Sequence, residues 1–418
     1  MIRSIIFVIT VLSINCALGQ SRTSSPYSFF GLGQQTFKGT IENRSMGGLR
    51  THLDSIHTTL NNPATYGKIK LINYGVGLLH TETWASTESE NDTYDSTSLE
   101  YLNVSIPLGN NAKTGIGFGL VPFKSVGYTI GDLTDTEYYN FTGEGSITRA
   151  YFGVGHELTK NLSIGAELRY NFGQETNSSS VLTNQVQFGS NETNETDFSG
   201  LSYNLAIHYE KNIGDEHSLQ ASIVYSPESK LVAKSTSVLA NFSFTPGTGE
   251  SLFNARDPQE NEEDLTLPSE LTVGLNYGKL RSWMIGGEFS MRGESSLSNR
   301  SFSPNNSSFK DAISLRAGGY YIPNFNSLTS YWQRVTYRFG ARFEETGLVL
   351  NNEDINEFGI SFGMGLPIGG NRSFSNANIG LELGQRGTEN AGLIKETFAS
   401  LSISLSLNDR WFIKRKYN

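Results

Sequence analysis

Three groups of residues have types and spacings that chemistry could use. Gly359-Ile360-Ser361-Phe362-Gly363 matches the Gly-x-Ser-x-Gly pattern of serine hydrolases. That chemistry needs the serine on a sharp strand-to-helix turn. Here Phe358, Ile360, Phe362 and Met364 alternate strictly around it, which predicts a straight strand with Ser361 on its polar face. His156-Glu157 begins a zinc-protease pattern, but Lys160 stands where the second histidine is required. The 6 histidines are scattered, so neither a metal site nor an enzyme is expected, and no cofactor. Gly-x-Gly pairs such as Gly153/Gly155 and Gly363/Gly365 fall on the same polar faces, where they let a strand bend or another segment approach closely.

The third group is charged. Glu167, Arg169, His208, Glu210, Glu288, Arg292, Arg316, Arg338, Arg342, Glu344 and Glu382 all lie on the polar side of an alternating stretch. Two readings follow. The charges pair across a common interior, or an arginine, with Arg316 and Arg338 favoured, meets a ligand carboxylate in a bidentate contact.

The elements that carry these residues are strands. Leu401, Ile403, Leu405 and Leu407 alternate with Ser400, Ser402, Ser404 and Ser406, which in a strand gives one apolar and one polar face. The same period recurs from Leu162 to Asn171, from Leu201 to Glu210 and from Glu270 to Tyr277. Fourteen strands are predicted, near 69–84, 97–109, 112–124, 145–158, 162–174, 198–211, 217–228, 266–278, 282–293, 310–322, 332–346, 354–366, 374–386 and 396–408. Short connections such as Gly109-Asn110-Asn111, Thr159-Lys160-Asn161 and Gly278-Lys279-Leu280-Arg281 alternate with longer polar ones. Segments 175–197 and 229–265, rich in Ser, Asn, Thr and acids, are expected as outer loops, the second carrying Asp257, Glu260, Glu262, Glu263 and Asp264. A sandwich has no reason to sort its loops by length, whereas a transmembrane antiparallel β-barrel does. The predicted fold class is therefore all-β, a membrane-spanning barrel of about fourteen strands. Tyr277, Trp283, Tyr321 and Trp332 flank short connections, as an interfacial aromatic girdle would.

The chain starts as an exported protein does. Arg3, an apolar stretch from Ile5 to Ile14 and Ala17-Leu18-Gly19 read as a signal peptide over 1–19, with the mature chain starting at Gln20. The single cysteine, Cys16, lies within it, and Asn15 stands where a lipoprotein signal needs a small residue. Cell outer membrane is the expected location, with outer-membrane lipid as solvent. A net charge of −9 and that compartment exclude a nucleic-acid partner. Residues 20–68 lack alternation and carry Gly31, Gly33, Gly47, Gly48 and the turn Asn61-Asn62-Pro63. A plug filling the wide lumen is the economical reading and a periplasmic arm the alternative. The barrel is expected over 69–408, and a basic periplasmic tail with Arg410, Lys414, Arg415 and Lys416 over 409–418.

Four stretches resemble the FadL-type outer-membrane transporters, in the version common in Bacteroidetes. They are Arg44-Ser45-Met46-Gly47-Gly48 leading to Asn62-Pro63-Ala64; Leu267-Pro268-Ser269 with Gly274, Tyr277, Trp283 and Glu288; Leu315 to Pro323 with Tyr337-Arg338-Phe339-Gly340; and Asn408 to Lys416. The resemblance implies fourteen strands, an N-terminal hatch marked by Asn62, Pro63 and Ala64, and passive uptake of fatty-acid-like or aromatic molecules. It also implies a sideways exit at a kinked third strand. Pro122 and Phe123 interrupt that strand here, so they mark either a lateral gate or the start of an outer loop. The alternative function is a non-transporting accessory or shuttle subunit of an outer-membrane machine such as type 9 secretion, with a periplasmic or outer-membrane protein partner.

Overall fold

A computed structural model describes residues 23–53, 56–109, 113–133, 137–183, 186–245, 249–296, 306–368 and 374–409. The expected signal peptide and nearly all of the basic tail lie outside these residues. In chain order the strands are β1 (Ile72–Ser86), β2 (Asn91–Leu108), β3 (Thr114–Leu133), β4 (Glu137–Glu157), β5 (Leu162–Thr183), β6 (Gly189–Ile213), β7 (His217–Ser226), β8 (Ser229–Thr245), β9 (Gly249–Phe253), β10 (Gln259–Leu267), β11 (Glu270–Lys279), β12 (Trp283–Arg292), β13 (Ser307–Phe309), β14 (Ala312–Tyr321), β15 (Thr336–Leu350), β16 (Glu353–Ile368), β17 (Ser375–Gly387) and β18 (Lys395–Asp409).

All pairings are antiparallel, and β1 pairs with both β2 and β18, so the sheet closes. β7 with β8, and β10 with β11, are two wall strands, each interrupted at a proline (Pro227 and Pro268), while β9 and β13 are short additions outside the wall count. The wall therefore has fourteen strands, as the sequence predicts. Closure removes the free edges that a sheet in lipid could not satisfy. Alternation sets the faces: Ile403 is 50% exposed on the outside and Ser402 3% exposed on the inside, and β5, β6 and β11 repeat the pattern.

The expected outer loops differ from what is found. β5 continues to Thr183 and β6 begins at Gly189, while the 229–265 segment forms β8, β9 and most of β10. The acidic run is thus a strand, paired with β8 and bridged to it by Lys230–Asp264 at 2.8 Å and Lys234–Glu262 at 3.2 Å. Hydroxyl-rich strands that stand clear of lipid lose the apolar half of their alternation, so their period disappears while their hydrogen bonding does not.

The described residues of 23–53 and 56–71 pack against the inward faces of the strands. Their Pro63–Lys68 turn touches β2, β3, β4, β5 and β6, and the short helical turn Ile41–Arg44 touches β16, β17 and β18. A core of Phe37, Ile41, Leu60, Tyr66 and Ile69 packs on Tyr101, Val121 and Tyr151 of the wall.

Candidate functional site: the lumen and its lateral seam

The interior is held by charge. Lys38 Nζ reaches Glu344 at 2.8 Å and Glu357 at 3.5 Å. Arg44 donates to Glu382 at 2.7 Å, and Arg50 reaches Glu270 at 2.9 Å and Glu288 at 3.2 Å. Lys68 lies 3.6 Å from Glu210 and 3.8 Å from Glu157. Each pair joins the N-terminal segment to a different part of the wall. Wall strands are tied to one another in the same way: Arg316 to Glu288 at 2.7 Å, Arg342 to Glu382 at 2.7 Å, and Arg342 and Arg386 to Glu357. Arg169 lies 2.5 Å from Glu167 within one strand, and Glu167 also accepts from Tyr66 at 3.2 Å. Arg338 donates to Asn378 at 3.1 Å. Nearly dry pairs of this kind are costly to break from one side only, because the remaining charge stays buried.

Close backbone approach supplies the rest. Gly47 has a φ of +72°, and the inward faces of Gly318 and Gly340 leave just enough room for Met46 and Gly47. A Cβ on Gly340 would collide with the Gly47 amide. Gly153 and Gly155 make the same allowance for Pro63 and Tyr66. Ser361 accepts the Gly47 N–H at 3.0 Å in mid-strand, where no nucleophile elbow exists. Asn62 precedes the Pro63–Lys68 turn without a side-chain capping bond and donates to the Arg50 carbonyl at 3.3 Å, while Ala64 packs on Ala206 and Val224.

The wall has one seam. β2 and β3 pair only from Leu108↔Thr114 to Leu102↔Leu120, although both continue well beyond. Above that point β2 pairs only with β1, and β3 only with β4. The divergence begins immediately before Pro122, where a bulge between Pro122 and Lys124 leaves Phe123 out of the β4 register. β3 does not end there; it runs on to Leu133, so the reading of Pro122 as the start of an outer loop is corrected. Proline lacks the N–H that a neighbour would need, and the bulge turns the strand away.

Residues 23–34 lie in this split. Gln34 and Ser125 exchange both backbone hydrogen bonds, at 2.8 and 2.9 Å. Ser28 Oγ donates to the Gly127 carbonyl and accepts its N–H, both at 3.0 Å. On the β2 bank Ser24 Oγ donates to the Asp95 carbonyl at 3.2 Å, and Ser25 Oγ reaches past it to the Glu396 side chain of β18 at 2.6 Å. Phe29 packs edge-on against Tyr128. Both edges, polar and otherwise unpaired, are thus partly satisfied by a strap that belongs to neither.

Sequence reasoning missed the strap and also Arg149. The Arg149 guanidinium lies 3.9 Å over the Phe123 ring and donates to Asn171 at 2.9 Å; among the described residues no carboxylate pairs with it. Arg149 falls in a stretch of β4 where Thr148 and Ala150 blur the alternation, so its face could not be read.

A closed fourteen-strand antiparallel barrel with an apolar outer band, a filled lumen and a lateral seam has the fold of the FadL-type barrels. Three solved structures share the fold: the Ralstonia pickettii toluene transporter TbuX (13% identity, TM-score 0.60, 90% of this chain and 100% of that one), the Pseudomonas putida toluene transporter TodX (16%, 0.61, 90% and 99%) and a Pseudomonas aeruginosa FadL homologue (11%, 0.62, 88% and 98%). The family model described as BamG matches residues 1–418, and the chain belongs to that family. No curated protein matches it.

Proposed function

We propose that this barrel is a laterally gated conduit for small hydrophobic molecules, held shut by its own N-terminal segment. The observation that carries the reading is the β2–β3 split filled by residues 23–34. Its lower end lies beside Leu102 and Leu120, both exposed on the lipid-facing side, so a withdrawn strap would join the lumen to the apolar band. Pro122 and Phe123 form the lower lip of that gate. Arg149, beside Phe123 and with no carboxylate paired to it among the described residues, is better poised to meet an anionic headgroup than Arg316, which is spent on Glu288. The toluene transporters that share the fold support the substrate class. The N-terminal segment acts as the hatch.

The test is a reversible lock. Ser24→Cys with Asp95→Cys, in a chain whose only other cysteine is Cys16, ties the strap to the β2 edge. Uptake of radiolabelled toluene or of a long-chain fatty acid by cells carrying the oxidised pair is expected to fall to the level of cells lacking the protein, and to return on reduction. Equal uptake in both states would remove the reading.

The ion-paired lumen favours a second reading, an accessory subunit that transports nothing. Mild extraction followed by mass spectrometry separates them: a stoichiometric lipid supports the conduit, and a stoichiometric protein without lipid supports the subunit.

A further inference from the structure

An interior space unrelated to the seam lies at the opposite end, where the short connections and the end of β18 gather. It is a cavity of about 340 Å³, within the size range of small-molecule sites. Its roof is the N-terminal segment, including Glu42 and Met46, and its walls are the 280–282 turn, the connection from β14 to β15 and the start of β17.

Its charge is one-sided. Among the described residues that line it, Arg281, Arg334 and Arg338 are basic and Glu42 is the one carboxylate. Arg338 is engaged with Asn378 at 3.1 Å, and Arg334 is not without a partner either. Glu42 is already engaged, accepting from Asn378 at 2.8 Å and from Tyr101 at 3.4 Å. Arg281 holds its guanidinium 4.9 Å from the Phe325 ring centre and 5.9 Å from that of Phe374. Among the described residues it meets no carboxylate. Its backbone has a φ of +58°, a conformation that side chains other than Gly and Asn rarely adopt. A stacked guanidinium keeps its in-plane N–H groups available, and the stacking fixes the direction in which they point. Met46 and the ring of Tyr320 line the same cavity and add apolar surface to it.

We propose that this vestibule binds an amphiphilic aryl or acyl carboxylate, with the carboxylate on Arg281 and the apolar body against Phe325, Phe374 and Met46. A phosphate or carboxylate without an apolar body would leave the rings uncovered, and a neutral hydrocarbon would leave the Arg281 guanidinium unanswered. The site lies below the hatch and does not depend on whether the seam opens, so its ligand enters from the periplasmic side.

Calorimetric titration of the full chain in a nonionic detergent with 2-naphthoate, and with 2-naphthylmethanol as the neutral counterpart, tests it. One saturable naphthoate per chain is expected, with the alcohol at least about tenfold weaker, as loss of a charge-assisted contact requires. Arg281→Gln is expected to lower naphthoate affinity by about tenfold or more and to leave the alcohol unchanged. Glu216→Gln, on a neighbouring turn outside the cavity, is expected to change neither. Phe325→Ala gives a second reading if Arg281→Gln loses its heat-modifiable migration, and should weaken both ligands. Equal binding of acid and alcohol, naphthoate binding indifferent to both substitutions, or no saturable binding would overturn the proposal. Failure of the strap-lock uptake experiment would leave it standing.

Discussion

At the residue scale the molecule is governed by what a buried charge costs once its partner is gone. Arg50 donates from its backbone to Glu288 and from its side chain to Glu270, Glu288, Thr272 and Ser290. Glu288 keeps Arg316 when Arg50 is removed, whereas Glu270 loses the cation that neutralises it. Arg50→Ala should therefore weaken seating of the N-terminal segment by about 3 kcal/mol, the lower part of the range for a one-sided deletion. Hydrogen exchange over residues 40–68 is the measurement, and adding Glu270→Gln should restore part of the loss. Gly340→Ala tests sterics instead of charge. Its methyl would meet the Gly47 amide, part of a backbone that cannot swing aside. The expected outcome is rapid proteolysis of the N-terminal segment from a barrel that still shows heat-modifiable migration.

At the element scale the strand tips are tied to one another outside the lipid. Ser86, at the end of β1, donates to Glu389 at 2.6 Å, and Lys395 reaches the same carboxylate at 2.9 Å from β18. The Ser86 hydroxyl first, and Lys395 with it, hold the Glu389 carboxyl below its ordinary value. A carboxylate lowered in the folded state stabilises this contact above its unfolded pKa of about 4.3, and the contact is lost as pH falls through the lowered folded value. Amide protection factors at Ser86 and Lys395, corrected for the intrinsic pH dependence of exchange, should therefore fall below pH 4 and stay flat between pH 6 and 8, while Glu389→Gln should remove the dependence. These tips also show where the sequence stopped being legible. Between lipid-facing residues such as Leu168 and Tyr170, alternation marks every wall strand, because lipid and lumen impose opposite demands on successive residues. From Thr176 to Ser180 water replaces lipid, the demand disappears, and a strand reads as a loop. The strap was illegible for another reason. Ser24 and Ser28 bond to strand edges, and Ser25 to a β18 side chain, that come together only after closure, so nothing local to residues 23–34 announces their place.

At the scale of the whole molecule, an outer face made for lipid encloses an interior that behaves like the core of a soluble protein with most of its charges paired. The consequence is an asymmetry between neighbours on one strand. Ile403 faces outward at 50% exposure and pairs with Leu78 and Ile379, which also face out, while Ser402 and Ser404 on either side are buried inside. Ile403→Arg places a charge on the lipid face and is expected to cost about 2–4 kcal/mol at mid-depth. Ser404→Ala, one residue away, removes only an inward hydroxyl that accepts from Asn378 at 3.1 Å, and should cost about 1 kcal/mol. Urea unfolding in lipid vesicles and again in detergent separates the two. The arginine penalty should shrink in detergent, where micelles let the guanidinium reach water, and the serine penalty should not change, because the lumen is the same in both. A penalty at Ile403 that did not depend on the surrounding solvent would mean that this face is covered by protein, as an accessory subunit in a larger assembly would require. The same measurement would then favour the second function over the first.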